Sequence, residues 1–291
     1  MNASAGRRLV IFRLVRWQPY DATIFDCDST LTTIEGIDEL AAELGLTAEI
    51  AELTEAAMDG DLDLGEVYAR RLQILQPNRE DVRNLRAIYK RNVVPDARGV
   101  VRALRLRNRH VWVVSGGLAE PVADFATWLG FDPDHVRAVG SEYDQLNGEW
   151  WDHKGSAESY LGFHEGPLTR TIGKADLIEQ AFPTPLRRVL IGDGVSDLRA
   201  AHVVELFVAF TGVVHRQAVA DAARVVIRSK SIAPVLALIL GPATVQAMLS
   251  EPEHAEVAQS CIEHARDGAI HFNDAELGRA FLAASNHNWE I

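Results

Sequence analysis

Cysteine is nearly missing from this chain. Cys27 and Cys261 are the only two in 291 residues, and they share no metal-ligand spacing. That argues against a disulfide framework and suggests no thiolate zinc site. Cations are outnumbered, with 29 lysines and arginines against 41 aspartates and glutamates and a formal net charge of -12. Nucleic acid and anionic membrane both require a basic surface, so neither is expected as a partner. An anionic ligand would have to be met by local positive groups or a metal. No apolar run is long enough to span a bilayer. The nearest imitation of a leader, Arg7 to Val15, is interrupted by Arg13 and followed by no small-residue cleavage site. It reads as a strand or an ordered lead-in, and the cytoplasm is the expected location. Internal repeats and low-complexity tracts are also lacking.

What is present is an ordinary globular composition, 47% hydrophobic and 24% charged, on a chain long enough for a core and a smaller module. Three apolar runs read as buried strands of a parallel sheet. The first, Ala22 to Phe25, ends in Asp26 and Asp28, followed by the hydroxyls of Ser29 and Thr30. The second, His110 to Val114, ends in Ser115-Gly116-Gly117 and a helix from Leu118 to Leu129. The third, Arg188 to Ile191, ends in Gly192-Asp193-Gly194-Val195-Ser196-Asp197. Leu206 to Phe210 then closes the sheet, and a helix over 216–223 and a short strand over 225–227 follow.

Between the first two strands, residues 35–92 carry helical periodicity and no strand pattern. Gly45, Gly60 and Pro77 divide them into about four helices. Such a block reads as a lid-like module. Asn147-Gly148, between Tyr143 to Leu146 and Glu149-Trp150-Trp151, predicts a hairpin. A polar loop from about 153 to 172 leads to a helix over 174–182. After Gly241 the chain reads as an appendage. Ser250-Glu251-Pro252-Glu253 and Asn273-Asp274-Ala275-Glu276 look like helix starts, and Gly268 ends the first of these helices. The stripe Val257, Cys261, Ile262 and Ala265 would pack on the core or on a second subunit.

The polar groups fall where chemistry is done in such sheets, just beyond the carboxyl ends of the strands. Together they read as a phosphate–magnesium site. Magnesium prefers hard carboxylate and water oxygens. Asp26 and Asp193 can supply them, with the Asp28 carbonyl completing the shell and Asp197 holding a metal-bound water. Ser115, the Gly116 amide and Lys174 at a helix start can take the charge of a phosphoryl group in transfer. An aspartate at a strand tip can itself attack phosphorus. Cys27, between two carboxylates and turned away from them by strand alternation, reads as packing.

Asp-x-Asp-x-Thr, Ser-Gly-Gly, Gly173-Lys174 and Gly-Asp-Gly-x-x-Asp, in that order, resemble the haloacid dehalogenase superfamily of aspartate-nucleophile phosphatases. The helical insert looks like that superfamily's small four-helix cap. Asp26 to Thr30, Glu35 to Ala41, Arg71-Leu72, Gln76-Pro77 and His215-Arg216-Gln217-Ala218-Val219 narrow the resemblance to its phosphoserine phosphatase family, over about residues 21 to 240. The resemblance implies Asp26 as nucleophile and Asp28 as general acid, then base. It implies Ser115, Gly116 and Lys174 as phosphate binders. It also implies Asp193 with Asp26 and the Asp28 carbonyl in the magnesium shell, and Asp197 behind it. Glu35 matches the residue that takes the substrate ammonium, Arg71 the cap arginine that pairs with the substrate carboxylate, and Met58 an apolar neighbour of the substrate. Leu64 stands where the family has phenylalanine, Asp59-Gly60 where it has Gly-Gly, and Ser196 where asparagine or threonine is common.

The expected fold is α/β, a doubly wound parallel sheet of the haloacid dehalogenase type with an inserted four-helix cap and a helical C-terminal extension. Residues 1–33 and 94–240 are the expected core, 34–93 the cap and 241–291 the extension. The expected activity is magnesium-dependent hydrolysis of O-phospho-L-serine through an aspartyl-phosphate. The alternatives are a phosphatase or phosphotransferase of the same fold for another small phosphomonoester, and a non-catalytic scaffold. A small phosphomonoester is the expected partner, with homo-oligomerisation through the extension possible on sequence grounds.

Overall fold

The computed structural model describes residues 17–58, 64–107, 109–144, 160–170, 172–182 and 186–285. The lead-in before residue 16 and the Asn147-Gly148 turn with Glu149-Trp150-Trp151 lie outside the described residues.

The chain opens with β1 (Ala22–Phe25) and then the cap helices α1 (Gly36–Leu44), α2 (Thr47–Met58), α3 (Leu64–Leu75) and α4 (Arg79–Arg91). Gly45 takes the left-handed conformation (φ 72°) that stops α1, and an Asn78–Asp81 capping box starts α4. The chain returns through α5 (Ala97–Leu106), β2 (His110–Leu118), α6 (Ala119–Leu129) and β3 (Val136–Val139). A two-stranded ribbon follows, β4 (Ser141–Tyr143) and β5 (Tyr160–Phe163), then α7 (Gly173–Ala181), β6 (Arg188–Gly192), α8 (Val195–Arg199) and β7 (Leu206–Phe210). The last elements are α9 (Gln217–Ala222), β8 (Val225–Ile227), α10 (Val235–Leu240), α11 (Pro242–Met248), α12 (Ala255–Arg266), β9 (Ile270–Phe272) and α13 (Ala275–Ala284).

Among the described residues the main sheet has the order β3-β2-β1-β6-β7-β8-β9, parallel except for the β8–β9 pair. Strand alternation divides its side chains between two cores. Phe25, Val113, Ile191 and Val208 face one, together with α5, α6 and the helices from α10 onward. Ile24, Trp112, Leu190 and Phe207 face the other, under α7 and α9. Helices on both faces of a mostly parallel sheet make the doubly wound fold, and β1 is its switch point. The chain leaves β1 for β2 on one side and reaches β6 on the other, which opens a crevice at the carboxyl ends.

Several local expectations change. Ser115-Gly116-Gly117 lies inside β2, because Leu118 still pairs with Val139 beyond a register shift. The partner of β4 is β5, within the stretch expected to be loop. The sheet does not close at β7; β8 and β9 extend it. α12 starts at Ala255, because the Ser250 and Glu251 amides still bond to Ala247 and Met248, and the Ser250 hydroxyl donates back to Ala247 O instead of capping. Asp274 does cap α13, accepting from the Glu276 and Leu277 amides at 3.0 Å.

The C-terminal region is helical, and it also supplies the edge strand β9. Its stripe, Val257, Cys261, Ile262 and Ala265, is buried in the first core, with Met248 and Phe281. Burying each large apolar side chain is worth about 1.5–3 kcal/mol, so this region stabilises the sheet it covers. It also reaches the return from the cap: Asp96 Oδ2 accepts the hydroxyls of Ser231 and Ser260 at 2.5 and 2.6 Å.

Candidate active site

Three parallel strands lie side by side. Phe25 pairs with Val113 on one side and Ile191 on the other, so Asp26 emerges between the Ser115 segment of β2 and the Asp193 loop. The Asp26 amide keeps one more bond to Ile191 O at 2.9 Å. The chain then turns sharply: the Cys27 carbonyl accepts the amides of Thr30, Leu31 and Thr32, and Ser29 adopts φ 52°. Cys27 itself is buried packing, its thiol pushed well up by desolvation and by the charges of Asp28 and Asp26.

Lys174 is the cation of the floor. Its buried Nζ lies 3.1 Å from Asp26 Oδ1 and 2.6 Å from Asp197 Oδ1. Burial works against its charge, but Asp197 and Asp26 outweigh that and raise its pKa. Asp197 also accepts the Gly194 amide at 3.1 Å. A Cβ on Gly192 would sit 2.2 Å from the Asp197 carboxyl carbon, so only glycine lets this carboxylate lie there. Burial and the charge of Asp26 push the Asp197 carboxyl well up, against the pull of Lys174.

Asp193 accepts the Thr30 hydroxyl at 3.3 Å on Oδ1 and Arg216 Nε at 3.1 Å on Oδ2. Its carboxyl is pushed up to about 7 by burial and by the charges of Asp26 and Glu35, with Arg216 opposing. Asp26, Asp193 and Asp197 each bring a ligand oxygen within 4.8 Å of the others. Such crowding is relieved by a hard divalent cation, and an all-oxygen donor set suits magnesium. Asp26 and Asp193 are the better placed. Asp197, engaged by Lys174 and the Gly194 amide, fits a supporting place.

Asp28 stands apart from the cations. Oδ1 accepts the Tyr89 hydroxyl at 2.7 Å and Oδ2 the Gly36 amide at 3.1 Å. Desolvation first, then the charge of Glu35, push its carboxyl up to about 8. Gly36 must be glycine, because a Cβ would lie 2.0 Å from the Tyr89 hydroxyl. Glu35 accepts the Ser29 hydroxyl at 2.7 Å and Arg216 Nη2 at 3.4 Å, and its carboxyl is raised by burial. Ser115 is buried within β2, its Oγ accepting the Gly117 amide at 3.0 Å, and Gly116 beside it is exposed.

The structure thus brings together Asp26, Asp28, Glu35, Lys174, Asp193 and Asp197, with Ser115 and Gly116 in the adjoining strand. Arg71 is half-buried on α3 of the cap, three residues beyond Tyr68. The Met58 side chain lies outside the described residues. Arg216, Tyr89, Thr30 and the Gly36 amide carry site contacts that the sequence reading assigned to no role. Arg216 lay within a recognised motif, so a signal existed. Tyr89 had none, because on α4 it reads as one more apolar-face residue, and its partner is 61 residues away.

A strand-end aspartate against a buried lysine, with a second carboxylate two residues on, fits a hydrolase of the phosphatase class. Residues 23–202 match the model for the haloacid dehalogenase-like hydrolases. The chain is 35% identical over 208 residues to mouse phosphoserine phosphatase, covering 70% of this chain and 87% of the relative. It is 32% identical over 209 residues to the chloroplastic phosphoserine phosphatase of Arabidopsis thaliana, covering 70% and 67%. Among solved structures, a phosphoserine phosphatase holding an analogue of the phospho-aspartyl intermediate superposes with TM-score 0.62 at 24% identity, over 76% of this chain and all (100%) of the other. A phosphoserine phosphohydrolase-like protein from Francisella tularensis gives TM-score 0.63 at 21% identity, over 75% and 99%. The chain belongs to the haloacid dehalogenase-like hydrolases.

Proposed function

We propose that this phosphatase hydrolyses O-phospho-L-serine to L-serine and phosphate through an aspartyl-phosphate on Asp26. The observation that carries the reading is the contrast between two carboxylates two residues apart. Asp26 lies on the Lys174 ammonium, while Asp28 touches no cation among the described residues and has its carboxyl pushed up to about 8. Environments that separate neighbouring carboxylates in this way divide them into nucleophile and acid.

In the first step an Asp26 oxygen attacks phosphorus, the bond to the serine oxygen breaks, and Asp28 gives that oxygen its proton. In the second step Asp28 takes a proton from the water that attacks the aspartyl-phosphate, and Asp26 is restored. Ser115 Oγ, the Gly116 amide and Lys174 take the phosphoryl oxygens. Magnesium, held by Asp26 and Asp193 with the Asp28 carbonyl and supported by Asp197, would neutralise charge on the carboxylates and the phosphoryl group. Glu35 takes the substrate ammonium and Arg71 its carboxylate, with Met58 as an apolar neighbour. Residues 34–93 act as the cap over the core, closing to exclude water in the first step. Both cysteines are free, which suits a cytoplasmic setting.

A second reading keeps the chemistry and changes the ester. Glu35 already holds Arg216, which favours a small phosphomonoester without an ammonium group. Phosphate release from a panel of phosphomonoesters, with magnesium and with chelator, separates the two. A magnesium-dependent preference for phosphoserine supports the first. Turnover of other esters with phosphoserine ignored supports the second.

A further inference from the structure

Cap helix α3 carries one polar atom that the chemistry above leaves unused. The Tyr68 hydroxyl is buried and has no hydrogen-bond partner among the described residues. A buried donor of this kind is costly to keep unless something else satisfies it. Its ring stands edge-on to Phe163 of β5, with centroids 5.5 Å apart and planes at 78°, so the side chain is pinned between cap and ribbon. Burial first, then the charge of Asp28, push the hydroxyl's pKa up. Residues three apart share a helix face, so Arg71 lies on the same face, one turn away. The Tyr143 hydroxyl, on the ribbon, is likewise buried without a hydrogen-bond partner among the described residues.

We propose that Tyr68 is a specificity-determining residue whose hydroxyl donates a hydrogen bond to the carboxylate of the substrate's leaving group, beside Arg71. The inference rests on the phosphoserine reading. The floor takes the phosphoryl group and Glu35 the ammonium, so the carboxylate is the part of the substrate left for the cap. A phenolic donor that meets no acceptor within the protein suits an incoming anion.

Tyr68→Phe keeps the contact with Phe163 and removes only the donor. The kinetic constants are measured with magnesium on O-phospho-L-serine and on O-phosphoethanolamine, which has the same ester and amine but no carboxylate. We expect KM for phosphoserine to rise about tenfold with kcat unchanged, and the phosphoethanolamine constants to stay put. The melting temperature should not fall, because a buried unsatisfied group has been removed. Tyr143→Phe should leave the ratio between the two esters as in the wild type. An equal change for both esters, or no change for either, overturns the role of Tyr68. A wild type that shows no preference for phosphoserine overturns the substrate reading instead, and this inference with it.

Discussion

On the sheet side of the site, Asp26, Ser115, Lys174, Asp193 and Asp197 are placed by neighbouring parallel strands and the first turns after them. On the cap side, Glu35 and Tyr89 come from a loop and a helix whose positions depend on packing. The sheet side is dense in charge, with one lysine shared by two carboxylates at 3.1 and 2.6 Å. The cap side carries less charge among the described residues, with the Glu35–Arg216 pair at 3.4 Å. Substitutions on the sheet side should therefore abolish chemistry or stability, whereas those on the cap side should tune rate and choice of substrate.

The largest effect is expected at Asp26. Asp26→Asn keeps the shape and removes the nucleophile, so kcat should fall by about 10⁴-fold or more. Asp28→Asn removes only the proton donor and acceptor, and kcat should fall by about 10²–10⁴-fold. Steady-state phosphate release measures both; an Asp28 variant as inactive as the Asp26 variant would erase the distinction between the two carboxylates.

Lys174→Ala tests the sheet side as structure. It leaves Asp26 and Asp197 without their cation, and breaking a buried pair of this kind costs about 3–5 kcal/mol. Chemical denaturation should show this loss, and it should shrink as the pH falls, because the stranded carboxyls can then protonate.

The same crowding predicts a pH dependence in the metal-free wild type. Asp28 and Asp193 are raised to about 8 and about 7 from an ordinary 3.8. Both bind their proton more tightly in the folded chain than in the unfolded one. Their contribution is fully present below the ordinary value of 3.8 and is lost as the pH climbs from about 4 to the folded values near 7 and 8. The melting temperature should fall between about pH 4 and pH 8, and magnesium should restore more of it at the higher pH. A metal-free melting temperature that rises over this range would contradict the arrangement.

The smallest effect is expected on the cap side. Tyr89→Phe removes the bond to Asp28 Oδ1 but leaves the one from the Gly36 amide. A loss of about 0.5–1.5 kcal/mol in stability and a modest drop in kcat should follow, read by thermal melts and turnover.

The same division explains what could be read from the sequence. Strand ends are local: an apolar run followed by Asp26-Cys27-Asp28, or by Gly192-Asp193-Gly194, announces both the element and its polar tip. The four cap helices were legible from their periodicity and from Gly45 and Pro77, while Gly60 lies outside the described residues. Contacts between distant elements were not. Nothing in α4 signals that Tyr89 turns its hydroxyl to Asp28, or that Arg216 bridges Asp193 and Glu35. The C-terminal region showed its helices and their apolar stripe. It did not show that Ile270–Phe272 joins the sheet, because a three-residue strand leaves no periodic trace.

The most direct test of the central claim is to quench the enzyme in acid while it turns over radiolabelled phosphoserine with magnesium, then locate the label by peptide mapping. The account predicts covalent phosphate on the peptide that carries Asp26, absent from Asp26→Asn. Rapid turnover with no trapped phosphate on Asp26, or with label on another residue, would contradict it.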